Sequence, residues 1–265
     1  MSVEILGESY DVNIKQLHLI NENIGKLPES IGKLVRLQHL YLDKNQLTTL
    51  PESIGNLVNL ITLDLTDNQF TTLPESIEKL VNLEKLFLGN AYLDNNQLTT
   101  LPESIDKLVR LECLVLDYNC LTSLPESIGN LVRLEYLVLD YNRLTSLPES
   151  IDKLVNLIYL YLSCNQLENL PKSIGKLINL KVLDLDNNQL KILPTSILNI
   201  KKSLRIWVNA YEINNLSTDI EFLIFSYLDK ELTNLPTGLK EIWIERENKN
   251  LNHKLPFGCV IKYFE

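Results

Sequence analysis

Residues 27–49 read LPESIGKLVRLQHLYLDKNQLTT, and nearly the same words begin again at Leu50, Leu101, Leu124, Leu147 and Leu170. From Leu27 to Leu50, from Leu101 to Leu124 and from Leu124 to Leu147 the step is 23 residues. A fixed period of this length marks a solenoid built from stacked modules. Each copy carries L-x-x-L-x-L-x-x-N-x-L, here Leu37, Leu40, Leu42, Asn45 and Leu47.

One module can be read physically. Leu40-Tyr41-Leu42 has strand periodicity, with the leucines inward and Tyr41 outward. Asn45 falls where the strand must turn. A buried amide there can both donate to and accept from the turn backbone, so stacked asparagines should form a ladder. Pro28-Glu29-Ser30-Ile31 opens a short helical or 3₁₀ segment, with proline suited to a first helical position. Ile31 and Leu34 are expected inside, and Gly32 and Lys33 in water. A single module cannot bury its leucines, and stacking makes the core continuous. The expected fold is an α/β solenoid with a parallel sheet on its inner wall and short helical or 3₁₀ segments outside.

Residues 1–13 (Val3, Ile5, Leu6, Tyr10) are expected to form an N-terminal cap over the first coil. Residues 14–199 make eight repeats of about 23 residues, with ladder positions Asn45, Asn68, Asn96, Asn119, Asn142, Asn165 and Asn188. Glu22 replaces Asn in the first coil, and Phe70 replaces a leucine. From Leu73 to Leu101 the step grows to 28, a five-residue insertion near 87–93. FLGNA resembles the following YLDNN, so one pentapeptide takes the strand and the other bulges, with a loop expected near 88–94. That loop is either a tolerated surface insertion or a partner-contacting one. Residues 200–265 read as about three shorter, divergent repeats that form a C-terminal cap. In them Leu235–Ile244 answers Leu255–Phe264 at an offset of 20. Trp207, Phe222, Phe225, Trp243, Tyr263 and Phe264 gather there, most simply as cap packing.

Between the leucines, the outward positions collect on one sheet face. With strands about 4.8 Å apart, about 11 coils span roughly 50 Å. Tyr41, Asp64, Asp117, Tyr118, Tyr136, Asp140, Tyr141, Tyr159 and Tyr161 are the candidate partner-binding residues. Tyrosines on a rigid sheet offer contact area at low entropic cost. The aspartates favour a protein partner with a basic surface. The alternative is that duplicated coils duplicate tyrosines that merely cover the sheet.

The net charge of −9 argues against nucleic acid and against a polybasic membrane role. No run of about 18 apolar residues exists, so no membrane span is expected. The start MSVEILGESYD lacks a secretory signal, which points to a cytoplasmic location (host cytoplasm if viral), and a monomer is expected. Cys113, Cys120, Cys164 and Cys259 read as reduced thiols, and Asn215-Leu216-Ser217 carries little weight as a glycosylation acceptor. Alanine occurs only at Ala91 and Ala210, as in AT-rich genomes.

Catalytic signatures are missing. His18, His39 and His253 form no metal-spaced pair, and there is no phosphate-binding loop or nucleophile elbow. The aspartate columns are poor calcium ligands. No cofactor, metal or catalytic residue is expected.

The LPESIGKLVRLQHLYLDKNQLTT wording, over about residues 14–200, resembles the Ras-suppressor and plant intracellular Ras-group class of leucine-rich repeats. The resemblance implies a right-handed leucine-rich-repeat horseshoe with a parallel concave β-sheet, and a non-enzymatic scaffold that binds proteins. Similar arrays occur in bacterial, amoebal and giant-virus proteins, so a large DNA virus or a bacterium is the implied source. A structural or self-assembling role, such as a coat or stacking module, is the alternative function.

Overall fold

The strand ends of successive coils lie side by side because each coil returns the chain to the same register. The computed structural model describes residues 2–89, 96–190, 193–200, 204–207, 222–225, 239–245 and 258–264. Two short strands, β1 (Ser2–Ile5) and β2 (Glu8–Asp11), pair antiparallel. Then come β3 (Gln16–His18), β4 (His39–Tyr41), β5 (Thr62–Asp64), β6 (Lys85–Phe87) and β7 (Cys113–Val115). They are followed by β8 (Tyr136–Val138), β9 (Tyr159–Tyr161), β10 (Val182–Asp184) and β11 (Arg205–Trp207). The last are β12 (Phe222–Phe225), β13 (Glu241–Glu245) and β14 (Val260–Phe264). Among the described residues, β3 to β14 form one twelve-stranded sheet in chain order, parallel throughout. This is the solenoid that the period predicts.

Between β3 and β11 the outer side of each coil is a five-residue 3₁₀ segment, as at Glu29–Lys33, Glu126–Asn130 and Glu149–Lys153. Its bonds run three residues back, from Ile31 N–H to the Pro28 carbonyl and from Leu34 N–H to the Ile31 carbonyl. Three residues per turn stack positions i and i+3 above one another. Ile31, Leu34 and Leu37 therefore all point into the core, fully buried. Pro28 stands one position earlier than expected. It is the extended residue that precedes the segment (φ −75°, ψ 153°), and its carbonyl opens the first turn. Gly32 also departs from expectation, because it is buried rather than in water. A Cβ there would lie 2.6 Å from the Ser53 backbone oxygen of the next coil, so a side chain at Gly32 would force the neighbouring coil to shift.

The asparagine ladder runs through the array. The Asn142 side-chain amide donates to the Leu116, Leu139 and Asp140 carbonyls at 2.9, 3.1 and 3.2 Å. Its Oδ1 accepts the Leu121 N–H at 3.0 Å. Asn45, Asn68, Asn119, Asn165 and Asn188 repeat the arrangement. The residue before the ladder position adopts a left-handed conformation, with φ of 58° at Lys44, 53° at Asp67, 54° at Tyr118, 53° at Tyr141, 53° at Cys164 and 52° at Asn187.

A second, outer ladder has no counterpart in the sequence expectations. Asn59, Asn82, Asn156 and Asn179 each donate at 2.8 Å to the carbonyl of a valine one coil back, Val35, Val58, Val132 and Val155. The V-N-L wording was its signal.

The coil with extra residues keeps its strand. Phe87 pairs with Asp64 and Val115, Leu88 is fully buried, and the Gly89 carbonyl accepts the Asp67 N–H. Leu88 and Gly89 thus occupy regular positions rather than the loop. The rest of the expected loop lies within 90–95, outside the described residues. Asn96 resumes the ladder with a bond to the Leu88 carbonyl at 3.2 Å. Among the shorter coils, Glu241 pairs with Val260 at an offset of 19, one less than the LPTG/LPFG wording gives, because pairing follows the buried Ile242 and not the turn.

Val3 and Ile5 of β1 are buried in the same core as the leucines, and the Ser30 hydroxyl donates to the Glu4 carbonyl at 2.7 Å. Leu6 (φ 54°) and Gly7 (φ 85°) make the turn to β2.

Replacing Asn142 with Ala should cost about 3 kcal/mol in urea unfolding, because several buried backbone groups lose partners at once. Asn156→Ala, on the exposed ladder, should cost less than about 1 kcal/mol. Gly129→Ala should cost about 1–3 kcal/mol, since its Cβ would meet the Ser150 backbone oxygen at 2.4 Å.

Candidate functional site

The outward residues of β3 to β10 form three columns. The first strand position carries Gln16, His39, Thr62, Lys85, Cys113, Tyr136, Tyr159 and Val182. The third carries His18, Tyr41, Asp64, Phe87, Val115, Val138, Tyr161 and Asp184. Two residues on lie Asp43, Thr66, Gly89, Asp117, Asp140, Ser163 and Asp186.

The strand spacing sets the tyrosine contacts. Tyr136 and Tyr159 are register partners, and their rings stack with centroids 4.6 Å apart and planes 14° apart. Tyr161, on the same strand as Tyr159, is nearly parallel to it at 6.4 Å. Tyr136 keeps 40% of its surface exposed. Tyr118 and Tyr141 stack as a separate pair at 4.1 Å, beyond the strands at the left-handed positions. With Gln97, Cys120, Arg143 and Cys164 they line a cleft of about 270 Å³. Tyr41 stacks instead on His18, 4.5 Å away, a pair that the sequence reading did not single out. The sheet thus brings together Tyr136, Tyr159 and Tyr161. It sets Tyr118 and Tyr141 at its edge and leaves Tyr41 and Asp64 toward the N-terminal coils.

The carboxylates are held in unusual states. Burial lifts Asp184 to about 7, and the charges of Asp140 and Asp186 add to the rise. Burial lifts Asp117 to about 6, helped by Asp140 and Asp67. Asp140 is raised by burial, although its Oδ1 accepts the Ser163 N–H at 2.7 Å and hydroxyl at 2.9 Å. Asp43 is raised by burial and by Asp64. Asp184 belongs to this group and Asp186 lies beside it, and neither was among the candidates. The V-L-D-L-D wording at 182–186 was the available signal.

The cysteines are free. Burial pushes the Cys113 thiol up, outweighing the opposite pull of Lys85. Tyr141 is raised by hydrogen bonds with Cys164 and Tyr118. Among the described residues, no three His, Cys, Asp or Glu side chains converge as a metal set, and no helix is long and apolar enough to cross a membrane. In the shorter coils the Trp243 indole donates to Glu241 at 2.9 Å, with the Lys262 ammonium 5.1 Å over its ring. It therefore faces outward, not into cap packing.

Two family models match the chain, a leucine-rich repeat region over residues 10–101 and a leucine rich repeat over residues 92–144 and 132–190. The chain belongs to the leucine-rich-repeat family. Among solved structures it is similar to the leucine-rich-repeat protein LIC12759 of Leptospira interrogans. That match has 29% identity and a TM-score of 0.70, over 96% of this chain and 75% of that one. It is also similar to the ectodomain of the plant membrane receptor kinase GASSHO1/SCHENGEN3 from Arabidopsis thaliana, solved in complex with CASPARIAN STRIP INTEGRITY FACTOR 2. There the identity is 27% and the TM-score 0.62, over 91% of this chain and 31% of that one. No curated protein matches the sequence. Leucine-rich repeats are in general protein-interaction scaffolds.

The Asp184 shift has a signed consequence. Folding raises the carboxyl from 3.8 to about 7, so the native state keeps a proton that the unfolded chain gives up. Stability should therefore fall as pH rises from about 4 to about 7 and stay lower above. Asp184→Asn should flatten that slope and stabilise the protein at pH 8 by about 1 kcal/mol, discounted for the partly open site. Thermal unfolding across pH 4–8 checks it.

Proposed function

We propose that this protein is a non-enzymatic docking scaffold whose concave sheet captures a protein partner. Tyr136, Tyr159 and Tyr161 anchor the partner, Tyr118 and Tyr141 flank it, and Asp64, Asp117 and Asp140 face its basic residues. Tyr41 extends the surface toward the N-terminal coils. The observation that carries this reading is the stacked, part-exposed ring set on adjacent strands. Rings locked by stacking on a sheet lose little entropy on contact, and desolvated tyrosines are frequent anchors. The complex in which the plant ectodomain was solved is a further support, since that leucine-rich-repeat domain holds a bound factor. The scaffold is read as a monomer, acting away from nucleic acid and membranes.

One observation favours the second reading, self-assembly. Val35, Val58, Val81, Val109, Val132, Val155 and Ile178 form a row, one per coil, each 43–52% exposed. A continuous apolar stripe of this kind is a feature of contact surfaces. Sedimentation from about 1 to 100 µM separates the two readings, because stacking raises the mass with concentration and a docking monomer holds it constant.

Affinity capture with mass spectrometry tests the first reading. A partner taken by wild type should be lost on combining Tyr136→Ala with Tyr159→Ala, at least about tenfold in affinity. Capture that survives the double substitution refutes the site.

A further inference from the structure

We propose that Asp140, Asp184 and Asp186 form a seat for a guanidinium or ammonium group on a basic segment of the docked partner. The proposal rests on the concave-face reading and adds to it the partner chemistry and the place where it is recognised.

Three coils converge on this spot. Asp184 lies opposite Tyr161 in register, and Asp186 follows two residues later. Asp140 reaches from the β8 coil across to Ser163, toward the other two. Asp186 is only 7% exposed. Its Oδ2 accepts the Asn187 amide at 3.1 Å, and its Oδ1 has no hydrogen-bond donor. A buried carboxylate oxygen without a donor is costly, and a turn of the Asp186 side chain toward the concave face would let a cation's N–H groups satisfy it. Tyr161 stands between Val138 and Asp184 in the register, and the fields of Asp140 and Asp184 both act on its hydroxyl. A cation held by Asp184 would lie against that ring, which adds a cation–π contact.

Among the described residues no internal cation fills the role. The salt bridges among them run from Lys107, Lys176 and Lys262 to other carboxylates. Arg205, in register with Val182, lends its field to Glu241. The carboxylates come from the β8 and β10 coils, two strand spacings of about 4.8 Å apart, a spread that suits several N–H donors better than one metal ion. The other titratable groups facing the seat are Asp117 from the β7 coil, Tyr136 from β8, and Tyr159 and Tyr161 from β9. Since Asp184 is protonated up to about pH 7, the seat must release protons to take a cation.

A fluorescein-labelled hexa-arginine peptide, followed by anisotropy at low salt, probes the seat. Wild type should bind severalfold more tightly at pH 8 than at pH 5.5. Asp140→Asn, Asp184→Asn and Asp186→Asn together should weaken binding roughly tenfold at pH 8. The control removes equal charge on the outer surface through Glu52→Gln, Glu103→Gln and Glu149→Gln, and should change it less than about twofold. Equal losses in both variants, no loss in the first, or a flat pH profile in wild type overturns the seat. Such a failure leaves docking itself intact, because docking is read separately through Tyr136→Ala with Tyr159→Ala on the captured partner.

Discussion

A parallel solenoid must turn its chain inside the core once per coil, and each turn strands backbone amides and carbonyls away from water. The asparagine at the end of each strand meets that demand. One side chain serves carbonyls of its own coil and of the coil before, as Asn165 does for Leu162, Ser163 and Leu139. No aliphatic residue could do so, a carboxylate would lack the donors, and a hydroxyl has a single O–H where the amide offers two N–H groups and an acceptor. Once the turns are satisfied, the leucines can close the core and the strands fall into register. The surface columns then become fixed arrays.

Function follows from that regularity. Register spacing is what brings Tyr136 onto Tyr159, and it also crowds Asp140, Asp184 and Asp186 into a partly dry patch. The same spacing places seven apolar side chains in a row on the outside. A single duplicated substitution therefore writes a stripe and not a point. This gives the array extended contact surfaces.

Much of this could be read from the sequence because leucine spacing and asparagine position are one-dimensional signals. The strands, the inner ladder and the faces of Leu40, Tyr136 and Asp117 followed from period alone. What escaped depends on the distance between coils. The burial of Gly32 arises from the backbone of Ser53, 21 residues on, and no local pattern announces it. The pairing of Glu241 with Val260 obeys buried isoleucines where the eye follows the Pro-x-Gly wording. The position of the extra residues was ambiguous because FLGNA and YLDNN fit the strand equally, and Phe87 took it. Asp184 looked like one more outward aspartate until two neighbouring carboxylates surrounded it.

The ladder also gives the stack a direction. Asn45 supports the turn of the coil that precedes it, at Glu22 and Ile24, and Asn68 does the same for Leu47. Each turn is therefore guaranteed by the coil that comes after. Stripping a coil from the C-terminal side orphans turn amides in the one below, whereas stripping from the N-terminal side orphans other amides, such as those of Gln38, His39 and Gln46, and leaves the asparagine without a client. Under mechanical pulling, the two ends of such an array are not equivalent.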